Sequence, residues 1–174
     1  MFKKVVIALI LLLPALVLYA SKKPDDLHVE RSISINATAE QIFPLINEFY
    51  QWEKWTPYNK DPAMKKLFSG SPKGVGATYT WKGNKDVGEG EITITDSTPP
   101  NKIVLDLHMI QPFEAHNAVV FTLSTDGKMT KVTWAMDCKQ NLVSKVMDVF
   151  YSMDSMIGND FAAGLAKLKL ATET

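Results

Sequence analysis

Apolar residues recur along this chain with different periods, and each period predicts a different element. From Val29 to Ile35 the side chains alternate: Val29, Arg31, Ile33 and Ile35 share one phase, and polar Glu30, Ser32 and Ser34 share the other. A period of two predicts a half-buried strand, because successive side chains on a strand point to opposite faces. Thr38-Ala39-Glu40-Gln41 then places a Thr three residues before a Gln, the capping-box spacing that satisfies two free amides at a helix start. Ile42, Leu45, Ile46 and Phe49 follow at helical spacing. Pro44 lacks an amide hydrogen, which predicts a kink or break near the fourth residue and favours two short helices in place of one.

From Met64 onward, short alternating segments are separated by turn residues, the mark of an antiparallel meander and not of βαβ units. Six further strands are predicted, at Lys65–Ser69, Ala77–Lys82, Val87–Asp96, Ile103–Ile110, Ala115–Thr125 and Thr130–Lys139, which makes seven in all. The period then changes again. Val143, Val146, Met147, Phe150, Met153, Ile157, Phe161, Leu165 and Leu168 recur every three or four residues, with Lys145, Asp148, Asp160 and Lys167 off the stripe. This predicts one long amphipathic C-terminal helix lying across the apolar face of the sheet. Gly158 within it predicts a kink or a tight contact.

The first 23 residues stand apart from this pattern. Lys3 and Lys4 precede an unbroken apolar run from Val5 to Ala20, closed by Lys22 and Lys23. As a helix, residues 2–20 reach about 28 Å at 1.5 Å per residue, close to the ~30 Å hydrocarbon core of a bilayer. A cleaved signal peptide wants small residues at −3 and −1, whereas cleavage after Ala20 would place Leu18 at −3. Residues 1–23 are therefore expected to be a membrane anchor or signal segment, with retention as a transmembrane helix favoured. Residues 24–174 are expected to be a globular domain exported to the periplasmic or extracytoplasmic side, if the source is bacterial.

Composition narrows the function. Lys+Arg and Asp+Glu balance at 19 each, so no global field draws the chain to nucleic acid. The single cysteine, Cys138, excludes an intramolecular disulfide framework or a multi-cysteine metal site. Asp106, His108, His116 and Asp137 could be drawn as a metal cluster, but alternation on strands brings solvent-facing polar residues together by default. No Ser-His-Asp order, phosphate-cradling loop or HExxH pattern occurs, and no cofactor is expected.

The apolar phases place Ile33, Ile35, Tyr79, Trp81, Gly88, Gly90, Ile92, Ile94, Leu105, Leu107, Met109, Val119, Phe121, Leu123, Val132, Trp134 and Met136 on the inner face. Apart from the Tyr79 phenol this set offers no acid or base, which proton-transfer catalysis needs within hydrogen-bond reach. Gly88 and Gly90 remove side chains from the inward phase and could leave room for a ligand. Trp52 and Trp55, three residues apart, either wall the mouth of that space or plug the end of the sheet. The expected cavity lining is Trp52, Trp55, Tyr79, Trp81, Gly90, Ile92, Leu107, Met109, Phe121, Trp134, Met153, Ile157 and Phe161.

The chain resembles the START-like helix-grip (SRPBCC) superfamily, in the branch described as polyketide cyclase/dehydrase and lipid transport. The matching residues are Ile33-Ser34-Ile35-Asn36-Ala37 before the Thr-capped helix, Trp52-x-x-Trp55-x-Pro57, Gly74-x-Gly76-Ala77 before Tyr79-x-Trp81, Val87-Gly88-Glu89-Gly90 and Thr130-Lys131-Val132-Thr133-Trp134. The terminal run Met153-Asp154-x-Met156-Ile157-Gly158-x-Asp160-Phe161-x-x-Gly164-Leu165-x-x-Leu168 completes them. The resemblance covers His28 to Leu170 and implies an α+β helix-grip fold, a seven-stranded curved antiparallel sheet wrapped on a long C-terminal helix around a hydrophobic pocket. It implies no particular reaction. The leading expectation is a membrane-tethered binder or carrier of a hydrophobic, lipid-like small molecule. The alternatives are an enzyme on a hydrophobic substrate, using Tyr79 or a mouth residue such as Glu89, Glu91 or Arg31, and an interaction module with a closed core.

Overall fold

The computed structural model describes Leu12 and residues 14–173. Seven strands form one antiparallel sheet: β1 (Asp26–Ile35), β2 (Lys65–Gly70), β3 (Ala77–Lys82), β4 (Glu89–Thr98), β5 (Lys102–Gln111), β6 (Ala115–Asp126) and β7 (Met129–Lys139). Their order is β1-β7-β6-β5-β4-β3-β2. A meander accounts for this order except at one edge, where β1 closes onto β7 and register pairs Val29 with Met136 and Ile35 with Thr130. The β4–β5 register shifts between Glu89 and Gly90 and between Ile94 and Asp96, irregularities of the kind that bend a sheet.

After β1 come α1 (Ala39–Asn47) and a 3-10 helix (Phe49–Lys54). The Thr38 amide donates to Gln41 Oε1 at 3.0 Å, so the capping residues act as the sequence predicts. Two short helices follow β1 as expected, but the break falls at Glu48 and not at Pro44. α1 runs through it for three more residues and ends where Glu48 turns extended, because a proline removes a single ladder bond from so short a helix.

The C-terminal segment departs from the expected single helix. It is two helices, α2 (Leu142–Phe150) and α3 (Met153–Glu173), separated by an extended Tyr151. Two side chains make the break. Asp148 Oδ1 accepts from the Met153 amide at 2.7 Å, and Ser152 Oγ accepts from the Ser155 amide at 3.2 Å, so a new helix start is capped there. The expected stripe of Val143, Met147 and Phe150 therefore does not reach the sheet, and all three are exposed. Only the α3 part does so: Phe161, Leu165 and Leu168 are buried.

α3 lies against β1, β7 and the 3-10 helix. Ile35, Ile42, Ile46, Ile94, Ile103, Leu105 and Phe121 complete the core with its buried residues. Gly158 marks a tight contact and not a kink: a Cβ there would run into the Arg31 guanidinium, which pairs with Asp154 at 2.9 Å. Leu12 and residues 14–21 are helical, and the remainder of the apolar run lies outside the described residues. Among the described residues no helix is long and apolar enough to cross a membrane.

Candidate functional site

Register across the sheet builds one wall of a cavity row by row. Tyr79 on β3 pairs with Ile92 on β4, Ile92 with Leu107 on β5, and Leu107 with Asn117 on β6. Partners opposite each other on antiparallel strands share a face, so the four side chains form a transverse row. A neighbouring row brings Val119 of β6 opposite Met136 of β7. Trp81, Met109 and Trp134 extend the same wall, and Ile157, Asp160 and Phe161 of α3 face it with Trp52 of the 3-10 helix.

The enclosed volume is about 330 Å³, at the lower end of small-molecule pockets. One end is formed by Thr56, Tyr58, Asn59, Lys60 and Met64 of the loop before β2 and by Asp86 and Val87 of the β3–β4 turn. Tyr58, Asn59, Lys60 and Asp86 are exposed, so this end is the entrance. There Lys60 Nζ meets Asp160 Oδ1 at 3.0 Å, and each charge answers the other.

Nine of the thirteen side chains expected to line a cavity do so: Trp52, Tyr79, Trp81, Ile92, Leu107, Met109, Trp134, Ile157 and Phe161. The other four stand elsewhere. Trp55 and Phe121 are fully buried, their ring centroids 6.0 Å apart and each packed on Trp134, and they fill the core beyond the cavity floor. Trp55 thus takes the plugging role, while Trp52 takes the walling one. Both indole N–H groups donate to α1 carbonyls, Trp52 to Ile46 and Trp55 to Leu45, each at 2.8 Å.

Gly90 does not open space. A Cβ there would lie 2.6 Å from the Trp81 ring and 2.8 Å from the His108 carbonyl, so the missing side chain lets the indole lie on the strand. Gly88 precedes β4 with a φ of +67° and its absent side chain faces the Gln111 carbonyl, which makes it a turn residue and not part of the inner phase. Met153 belongs to the first turn of α3, beyond the cavity wall that Ile157 begins.

Asn117 was not in the expected lining, and it changes the chemistry of the wall. It is only 8% exposed, and its side chain has no hydrogen-bond partner among the described residues. An amide that borders open space can bond to whatever occupies the cavity, water or ligand. The sequence signal was available: Asn117 continues the Val119, Phe121, Leu123 phase by two residues.

Burial, with a smaller contribution from Glu53, pushes the Tyr79 phenol up to about 12, so it stays protonated at neutral pH. Glu89 pairs with Lys82 at 2.6 Å, Glu91 accepts from Thr80 at 3.2 Å, and Arg31 pairs with Asp154. None of the three lines the cavity. Cys138 is half-buried and burial raises its thiol, which weakens it as a nucleophile.

On the outer face, His108 and His116 are cross-strand partners, and with Glu114 their ligand atoms lie within 4.8 Å of one another. The two rings are stacked, with centroids 4.1 Å apart and an 11° angle between planes. Their in-plane lone pairs run side by side instead of converging, which is a poor arrangement for sharing one ion.

Several solved structures share this architecture. The Aha1 dimer from Colwellia psychrerythraea is 19% identical, with a TM-score of 0.61 over 84% of this chain and 96% of that one. Ginseng major latex-like protein 151 from Panax ginseng is 10% identical, with a TM-score of 0.63 over 87% and 100%. A protein from Thermobifida fusca is 21% identical, with a TM-score of 0.61 over 82% and 90%. At these identities the likeness is one of fold. No curated protein matches the chain significantly. The family model described as polyketide cyclase / dehydrase and lipid transport matches residues 26–173, the whole of the sheet and both C-terminal helices, and the chain belongs to that family.

Proposed function

We propose that the chain is a membrane-tethered binder or carrier of a hydrophobic, lipid-like small molecule, held in the cavity between the sheet and α3. The observation behind this reading is the cavity lining: its inner wall is aromatic and aliphatic, its charged side chains Lys60, Asp86 and Asp160 gather at the entrance, and Asn117 and the Trp134 indole N–H stand in the wall without a partner among the described residues. An apolar ligand with a single polar group satisfies both features, the apolar part by burial and the polar group by bonding Asn117. The tether is residues 2–20, whose apolar run is long enough for a bilayer. In this reading the domain sits on the periplasmic or extracytoplasmic side.

The test is binding of a fluorescent polyene fatty acid by the full chain in lipid nanodiscs, with empty nanodiscs as the blank. Leu107→Trp puts an indole into the cavity from a half-buried wall position. Wild type is expected to bind saturably, and Leu107→Trp to lose binding while unfolding at nearly the same urea concentration. Equal binding by both proteins would place the probe elsewhere and overturn the reading.

A further inference from the structure

The amphipathic helix α2 faces the wrong way for a soluble protein. Its protein side carries the charges: the Lys145 side chain is 6% exposed and pairs with Asp25, and Asp148 pairs with Lys23. Its outer side carries the apolar residues Val143, Met147 and Phe150, exposed at 62, 45 and 65%, and Tyr151 continues the stripe at 68%. Val143, Met147 and Phe150 are four and three apart and so form one ridge, which the extended Tyr151 follows. Ordinary surface helices bury such a ridge, and an exposed one marks a contact with something apolar.

Chain connectivity identifies that partner. Lys23 and Asp25 stand three and five residues after Ala20, the end of the apolar run, and both ion pairs to α2 are made from them. The run therefore leaves the domain beside α2. Leu18 and Tyr19, at its end, are exposed at 64 and 62%. We infer that α2 lies in the interface of a lipid bilayer, with Val143, Met147 and Phe150 among the acyl chains. This rests on the tether of the preceding section and adds the orientation of the domain on the membrane. The chain's balanced charge makes apolar burial, and not attraction to anionic lipid, the source of the contact.

The orientation has a use. Ile157 of the cavity wall is one helical turn, about 6 Å, past the start of α3, next to the elbow that ends α2. With α2 in the interface, the α3 side of the cavity lies near the bilayer, where a lipid-like ligand is concentrated.

The test uses the full chain with Cys138→Ser, reconstituted in phosphatidylcholine vesicles, and a polarity-sensitive fluorophore on a single new cysteine. One protein carries Met147→Cys; a second carries Lys128→Cys, on the exposed β6–β7 turn. Both are expected to float with the vesicles. Emission from position 147 should shift to the blue and be lost when lipids bearing a quencher on the acyl chain replace part of the phosphatidylcholine; emission from position 128 should do neither. Val143→Glu with Phe150→Glu, both at exposed positions, should keep flotation and abolish quenching at 147. Flotation without quenching at 147 would leave the tether standing and overturn the docking of α2. Loss of flotation would overturn the tether and the docking with it. A blue-shifted but unquenched label would show that another part of this chain, or a second copy, covers the ridge, and would also overturn the proposal.

Discussion

α3 meets the sheet in two ways along its length. Its middle, from Phe161 to Leu168, is packed shut: Phe161 stacks on Trp134 with centroids 4.2 Å apart, and Trp134 in turn meets Phe121 and Trp55 at 4.9 and 5.7 Å. One turn before Phe161, Ile157 faces Leu107, Met109, Asn117 and Val119 across open space. Both regions have the same partners, an apolar helix face and the concave side of one sheet. They differ in what meets across the interface: rings interlock at the floor, whereas Ile92, Leu107, Met109, Val119 and Ile157 leave space between themselves and the rings of Trp52, Tyr79 and Trp81. A cavity can thus be set by which side chains meet across the interface, without any change in backbone plan.

The sharpest way to break this contrast is to truncate one residue in each half. Phe121→Ala removes a ring from the packed floor and is expected to cost about 3–5 kcal/mol. Leu107→Ala removes a half-buried side chain that already borders open space and is expected to cost about 1 kcal/mol. Urea midpoints of the two variants measure the difference, and equal losses would mean that the hollow half is packed as tightly as the floor.

The glycines offer the next test. A Cβ at Gly164 would meet the Trp134 ring at 2.8 Å and Pro57 at 3.0 Å. Gly164→Ala is therefore expected to overpack the floor, costing about 1–3 kcal/mol. Gly90→Leu is expected to lose stability on the same scale of about 1–3 kcal/mol, because it collides with Trp81 and not with empty space. Thermal denaturation of both variants checks this. A Gly90→Leu protein that folded normally but no longer bound ligand would restore Gly90 to the lining.

Asn117→Ala should leave folding nearly unchanged, since its amide has no partner to lose, and weaken ligand binding by about 0.5–1.5 kcal/mol. Titration of a fatty acid against a hydrocarbon of equal length would show the effect for the fatty acid alone.

The smallest effect lies outside both halves. His28 on β1 is hydrogen-bonded to Asp137 of β7 at 2.7 Å, and that bond raises its pKa above the usual 6.5 against a small opposing effect of burial. A raised value means the folded state favours the protonated ring, so the pair's contribution is present at pH below 6.5 and is lost as pH rises through the raised value. The pair is half exposed and screened, so the midpoint shift between pH 5.5 and 8 should be slight and should vanish in His28→Gln, with ligand binding unaffected.

Much of this fold was legible in the sequence because strands with one buried face must alternate. That rule locates the seven strands and the row of Tyr79, Ile92 and Leu107. The break between α2 and α3 was not legible from periodicity, which continues unbroken through Phe150 and Met153. It depends on Asp148 and Ser152 as caps, a local polar signal that an apolar stripe conceals. Gly90 was misread for a related reason: alternation tells which face a residue occupies, not what a neighbour such as Trp81 lays across it. Asn117 lies inside the predicted strand Ala115–Thr125, but an inner face read from its apolar residues alone leaves out a polar one. The packed floor and the hollow half could not be told apart, since Phe121 and Leu107 follow the same pattern.

The central claim is that the hollow half holds a hydrophobic molecule, and native mass spectrometry of the full chain released from lipid nanodiscs tests it most directly. The account predicts a bound apolar species of defined mass that extraction recovers from wild type and that is absent from Leu107→Trp. A folded wild-type chain that carries no added mass, and takes none up from a panel of fatty acids, sterols and isoprenoids, would contradict it.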